Sequence, residues 1–139
     1  MSFTYPKKHK LKSKKSIDLL FSKGKSVSKY PLRLVYAAAD AEHMNGEMMK
    51  MGVSVSKRNF KHAVDRNYFK RILRETYRLN QHLLRDNLDQ PYNFMFFYQT
   101  KDRLDYAEIE QKTVQLFEKW VLEINKNKPE KTVEILPQP

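Results

Sequence analysis

VSVSKRNFKHAVDRNYFKRILRETYR, running from Val53 to Arg78, is the stretch from which the rest of this 139-residue chain is read. It opens as a strand, because Met49, Met51, Val53 and Val55 recur at every second position. It closes as a helix over residues 61–80. Wound at ~100° per residue from Val64, that helix places Tyr68, Phe69, Ile72, Leu73, Thr76 and Leu79 with Val64 between about 0° and 180°. Arg66, Asn67, Lys70, Arg71, Arg74 and Arg78 fall between about 200° and 340°. One half is expected to meet a core and the other to be almost purely cationic. Asp65 and Glu75 sit on the apolar side, so no ion pairs are expected for the cationic arc. Like charges at i,i+4 (Arg66/Lys70, Lys70/Arg74, Arg74/Arg78) each cost a few tenths of a kcal/mol. A face that keeps three such repulsions is expected to meet an anion. Asn67 lies within it, and its amide can donate and accept at once, which suits a base edge or a ribose hydroxyl.

Working outward, Ser13 is placed to cap a short helix whose apolar stripe is Ile17, Leu20 and Phe21, with Gly24 as its stop. Pro31 to Ala39 reads as a strand with Leu32, Leu34 and Tyr36 on one face. Asn45-Gly46 in the polar stretch that follows predicts a hairpin joining it to the strand of Met49 to Val55. Residues 92–98, YNFMFFY, predict an aromatic strand after Pro91. Tyr106 to Ile124 predict a last amphipathic helix, with Ile109, Thr113, Leu116, Phe117, Trp120, Val121 and Ile124 inward. Few strands, with helices able to cover one sheet face, predict a small two-layer α+β sandwich. Residues 1–12 are expected to be a flexible basic arm, 13–125 a single domain, and 126–139 a disordered tail.

Charge points to the partner. The net charge is +11, with +8 in residues 1–29 and +6 in residues 57–78, while the remainder is slightly acidic. Two focused patches suit a polyanion such as nucleic acid, because clustered Lys and Arg displace counterions condensed on phosphates. An apolar fraction of 40% argues for a packed core rather than wholesale disorder. The absence of cysteine excludes disulfide scaffolds, thiolate zinc sites and cysteine nucleophiles. No apolar run approaches a membrane span and the basic N-terminus has no apolar stretch behind it, so a cytoplasmic protein with no membrane partner is expected. His9, His43, His62 and His82 are scattered, and no HExxH, P-loop or GxGxxG is present. Asp102, Asp105, Glu108 and Glu110 suit a helix N-terminus better than a metal cluster. Neither catalytic residues nor protein metal ligands are assigned.

The quoted stretch resembles the signature of the protein subunit of bacterial ribonuclease P. Ser54, Ser56, Lys57 and Arg58 match its strand-end element, Ala63 and Val64 its linker, and Arg66, Asn67, Lys70, Arg71, Arg74 and Glu75 its basic helix. Tyr68 departs from it, standing where the pattern has the third residue of an Arg-Asn-Arg triplet. The basic arm, the Phe21–Gly24 helix end, the aromatic strand and the last helix also follow the family's order. The resemblance implies a left-handed βαβ crossover and a non-catalytic partner of a catalytic RNA. That RNA, with bound Mg²⁺, hydrolyses one phosphodiester to remove the 5′ leader of precursor tRNA. Lys57, Arg58, Arg66, Asn67, Lys70, Arg71 and Arg74 are then expected to contact the catalytic RNA, and no obligate protein partner is implied. The resemblance also implies a cleft for the single-stranded leader between the sheet and the first and main helices. Ile17, Phe21 and Tyr36 are its expected lining, since single-stranded RNA is held by aromatic platforms and cations. Two alternatives fit the charge. One is a ribosomal or ribosome-assembly RNA-binding protein. The other is a major-groove DNA-binding helix, which lacks the preceding helix and short turn that mode needs.

Overall fold

The computed structural model describes residues 9–126, apart from 12, 41, 43 and 45. The elements run α1 (Lys14–Lys23), β1 (Lys25–Lys29), β2 (Leu32–Ala38), β3 (Met49–Val55), α2 (Ala63–Asn80), α3 (His82–Arg85), β4 (Tyr92–Tyr98) and α4 (Tyr106–Lys126). Ser13 caps α1 as its sequence position predicts, its hydroxyl accepting from the Ser16 N–H at 3.3 Å. α1 ends at Gly24, where the backbone turns extended, and a Cβ there would lie 2.2 Å from the Leu20 carbonyl oxygen, so the position needs glycine. The aromatic strand spans 92–98 as expected, and α4 begins at Tyr106 with Asp105 accepting from the Glu108 N–H at 2.9 Å.

The four strands form one mixed sheet in the order β1-β2-β4-β3. This overturns the expected hairpin between the second and third strands. The observed hairpin joins β1 to β2 through Tyr30 and Pro31. β3 instead runs parallel to β4, with Met49 opposite Tyr92 and Val55 opposite Tyr98. β4 takes a central place because it is apolar on both faces, whereas a strand polar on one face suits an edge. β1 escaped the reading because in KSVSK only Val27 is buried, too little alternation to register as a strand. The turn before β3 is real, since Gly46 adopts a positive φ of 82°, but the chain it redirects passes beyond β4's place. A parallel neighbour then needs a crossover, which α2 and α3 provide.

α2 and α4 cover one face of the sheet. Leu34, Tyr36, Phe94 and Phe96 meet Phe69, Leu73, Leu116, Phe117 and Trp120 there. Trp120 is the hub, with ring centroids of Tyr36, Tyr92 and Phe94 at 6.1, 5.7 and 5.3 Å. Between the two helices, Thr113 donates to the Thr76 hydroxyl at 3.2 Å, and the buried Asn80 amide reaches Glu110 at 3.3 Å. α1 lies on the opposite face, where Leu20 and Ile17 pack with Leu11, Val35 and Met95. Of the expected basic arm, residues 1–8 and 12 lie outside the described residues. Leu11 is buried and donates its N–H to the Met51 carbonyl at 3.1 Å, passing over Gly52. Of the expected tail, Lys126 is the last residue of α4, and residues 127–139 lie outside the described residues.

Candidate RNA interface

The segment between β3 and α2 is pinned from both ends. The Ser56 hydroxyl accepts from the Asn59 N–H at 3.3 Å and the Ser56 carbonyl from the Phe60 N–H at 3.1 Å, closing a tight turn. Lys57 and Arg58 stand exposed on that turn. Phe60 turns inward and stacks on Phe69 with centroids 4.8 Å apart, and Phe69 stacks on Tyr98 at 4.6 Å. The Tyr98 hydroxyl donates to the Asp102 carbonyl and accepts from the Leu104 N–H at 3.1 Å, which ties down the loop after β4.

Arg66 closes the same segment, donating to the carbonyls of Phe60 at 2.9 Å and Lys61 at 2.8 Å. Its guanidinium is thus engaged in holding the entry to α2, a different placement from the free cation expected of it. The helix is also rotated relative to the expected wheel. Its buried residues are Phe69, Ile72, Leu73, Thr76, Tyr77 and Asn80, so the inward arc is centred near ~150° rather than ~90°. Tyr77, at ~220° inside the supposed cationic arc, is fully buried, while Val64 is 74% exposed. Apolar residue type alone could not show this, because the core side is set by where the sheet and α4 lie. The outward face carries Asn67, Tyr68, Arg71 and Arg74, with Lys70 half-buried at its margin.

Both carboxylates near this face are neutralised, one of them by the arc's own Arg78, contrary to the expectation that the arc would form no ion pair. Arg78 bonds Glu75 through Nε at 3.2 Å and Nη2 at 2.5 Å, and Arg103 meets Asp65 at 3.1 Å. The hydrogen bond from Arg78 holds the Glu75 carboxyl below its usual range. Arg78 therefore leaves the set of unpaired cations. Lys57, Arg58, Arg71 and Arg74 keep their charge toward solvent, and none of them forms an ion pair among the described residues.

The expected leader lining divides. Phe21 is 54% exposed at the end of α1, and Ile17 is half-buried one turn earlier. Tyr36 is only 5% exposed and lies on the other face of the sheet, edge-on to Trp120. Burial pushes its phenol above the ordinary tyrosine range, with the charge of Glu123 adding to the effect. Tyr36 is therefore a core residue and does not share a cleft with Phe21. A shift of one residue along a strand changes the face, and the residue of β2 that points toward α1 is Val35. What does join Phe21 is Phe97, with ring centroids 5.9 Å apart. Arg33 lies opposite Phe97 across β2 and β4, and Ser54 opposite it across β3 and β4. The parity of the strands carried this signal: Arg33 interrupts an apolar alternation, and position 97 is out of phase with 94, 96 and 98 in an otherwise unbroken aromatic run.

Among the described residues no group of three or more His, Asp or Glu side chains gathers to hold a metal ion, and no helix is long and apolar enough to cross a membrane.

Comparison with known proteins meets this geometry. The ribonuclease P family model matches residues 5–121. The ribonuclease P protein component of Porphyromonas gingivalis is 40% identical over 113 residues, covering 79% of this chain and 81% of that one. The corresponding protein of Clostridium botulinum is 34% identical over 115 residues, covering 81% of this chain and 95% of its own. The RNase P protein structure from Thermotoga maritima superposes with a TM-score of 0.62 at 20% identity, covering 79% of this chain and 96% of that one. That from Staphylococcus aureus gives 0.61 at 19% identity, covering 85% and 95%. The mixed sheet, the cationic helix packed on it and a match spanning most of the chain agree on one assignment: this chain belongs to the ribonuclease P protein family.

Proposed function

We propose that the chain is the protein subunit of a cytoplasmic ribonucleoprotein endonuclease that removes the 5′ leader of precursor tRNA. Its outward α2 face and the Lys57–Arg58 turn bind the catalytic RNA. The outer sheet surface around Phe21, Phe97 and Arg33 receives the single-stranded leader, by stacking of bases on rings and pairing of phosphates with cations. Hydrolysis is assigned to the RNA, whose bound Mg²⁺ supplies the Lewis acidity for attack of water on one phosphodiester. The protein's own residues bind and orient. The pinned linker sets the Lys57–Arg58 turn against the start of α2, so the cations need little ordering on binding.

The observation that supports this reading is the pairing pattern on and around α2. Arg66 and Arg78 are used internally and both nearby acids are neutralised, while Lys57, Arg58, Arg71 and Arg74 stay exposed. Reconstitution with the catalytic RNA and a leader-bearing precursor tests it. The protein should raise cleavage at low Mg²⁺, whereas a ribosome-assembly protein would leave it unchanged. Replacing Lys57, Arg71 and Arg74 together by Ala should preserve thermal stability. It should also flatten the salt dependence of RNA binding by up to ~0.9 log units for each phosphate that is no longer neutralised. An unaltered slope would remove this face from the interface.

A further inference from the structure

We propose that Tyr68, with Arg71 and Arg103, forms a stacking site for one unpaired nucleobase of the RNA that α2 faces. The inference rests on the reading of α2 as an RNA surface and assigns to it a contact of a different chemistry. Tyr68 occupies the position at which the family pattern has an arginine, and its ring is 40% exposed on the outward side of the helix.

The ring is held rather than loose. It meets Phe69 edge-on with centroids 5.0 Å apart, which ties it to the buried Phe60–Phe69–Tyr98 stack. The Arg103 guanidinium lies 5.7 Å from its centroid and is itself fixed by Asp65 at 3.1 Å. Arg71 also lies over the ring, 5.8 Å from its centroid, so a stacking base takes the place of one guanidinium on the ring's face. One turn earlier, Val64 is 74% exposed and extends the apolar surface beside the ring. An oriented aromatic flanked by two guanidinium groups suits an unstacked base. The ring offers a π face that tolerates any base, and the guanidinium planes offer further stacking and donors for that nucleotide's phosphate. An acidic peptide would use the charges but has no use for the ring and Val64. The site thus puts a stacking contact where the family pattern has a cation, and the two respond differently to salt.

The test measures binding of the full chain to the catalytic RNA across a salt series, with thermal stability measured beside it. Tyr68→Leu should weaken binding about 5- to 150-fold, the effect of removing one stacked base, with an unchanged salt slope. Tyr68→Phe should bind like the wild type, and Tyr68→Arg should steepen the slope by roughly 0.7–0.9. Tyr68→Trp adds a direct reading, since the chain's single tryptophan, Trp120, is fully buried and gives a constant background. The new indole should be quenched when RNA saturates the protein. Wild-type affinity in Tyr68→Leu would overturn the proposal, as would indole emission indifferent to RNA. A loss of affinity that only follows a loss of stability would overturn it too, leaving Tyr68 a packing residue. Failure of the wild-type chain to bind the RNA at all would instead overturn the interface reading on which the site depends.

Discussion

The two faces of the sheet use the same residue types for opposite ends. Toward α2 and α4, Tyr36, Tyr92, Phe94, Phe96 and Tyr98 are closed off from water and gather around Trp120 and Phe69. Toward α1, cover stops at Leu20, Ile17 and Leu11, and Phe97 and Phe21 meet at a surface that water reaches. The number of covering helices makes the difference: two long helices enclose a sheet face, and one helix of ten residues leaves part of it open. An aromatic side chain in this protein is therefore structural or available according to the face on which its strand position places it. The same contrast runs along α2, where Tyr77 is sealed and Tyr68 is not.

The largest effect that could break this contrast lies at Tyr36. If its ring belongs to the enclosed side, Tyr36→Ala should destabilise the fold by about 3 kcal/mol or more, as aromatic truncations in cores do. Affinities for leader-bearing precursor and mature tRNA should then fall together, and only as far as the unfolded fraction rises. Urea denaturation alongside the two binding constants checks this. A stable variant with weakened affinity for the precursor alone would return Tyr36 to the leader site.

Phe21 supplies the opposite case with a smaller effect. Its ring is half in water, so Phe21→Ala should leave the denaturation midpoint nearly unchanged. Affinity for leader-bearing precursor should drop by ~1–3 kcal/mol relative to mature tRNA, the range for one base stacked on one ring. Phe97→Ala, measured the same way, sharpens the comparison, because the two rings are partners. A matching loss from either truncation, without addition in the double variant, would mark one shared platform.

The smallest effect tests the sealed tyrosine of α2 by pH. Burial pushes the Tyr77 phenol up to about 12, with Arg85 partly offsetting the rise. The folded state thus keeps a proton that the unfolded chain releases near pH 10. The sign follows: stability is whole below about 10 and falls as pH rises toward 12, by up to ~1.4 kcal/mol per pH unit. Denaturation between pH 8 and 11 should show this slope in the wild type and a shallower one in Tyr77→Phe. Equal slopes in the two would remove Tyr77 from the enclosed side.

Much of the fold was legible in the chain's periodicities. Period-3.6 and period-2 patterns located α1, α2, β2, β3 and α4, because burying one face of an element constrains residue type at each step along it, and an unbroken aromatic run after Pro91 located β4. The density of Lys and Arg on α2 announced an anionic partner, since unpaired like charges are costly unless something meets them. Pattern could not order the strands. A turn after β2 is compatible with a hairpin or with a crossover, and only the need to bury β4 on both sides decides between them. Nor could it phase α2 to better than about 60°, so Tyr77 and Val64 exchanged places. The uses of Arg66, Arg78 and Tyr36 depended on groups that the chain brings close from elsewhere: the carbonyls of Phe60 and Lys61, the Glu75 carboxylate and the Trp120 ring. Local periodicity reports that a residue faces inward or outward along its own element. Which other element stands there, and whether a charge or ring is thereby engaged or left for RNA, is a property of the packed structure alone.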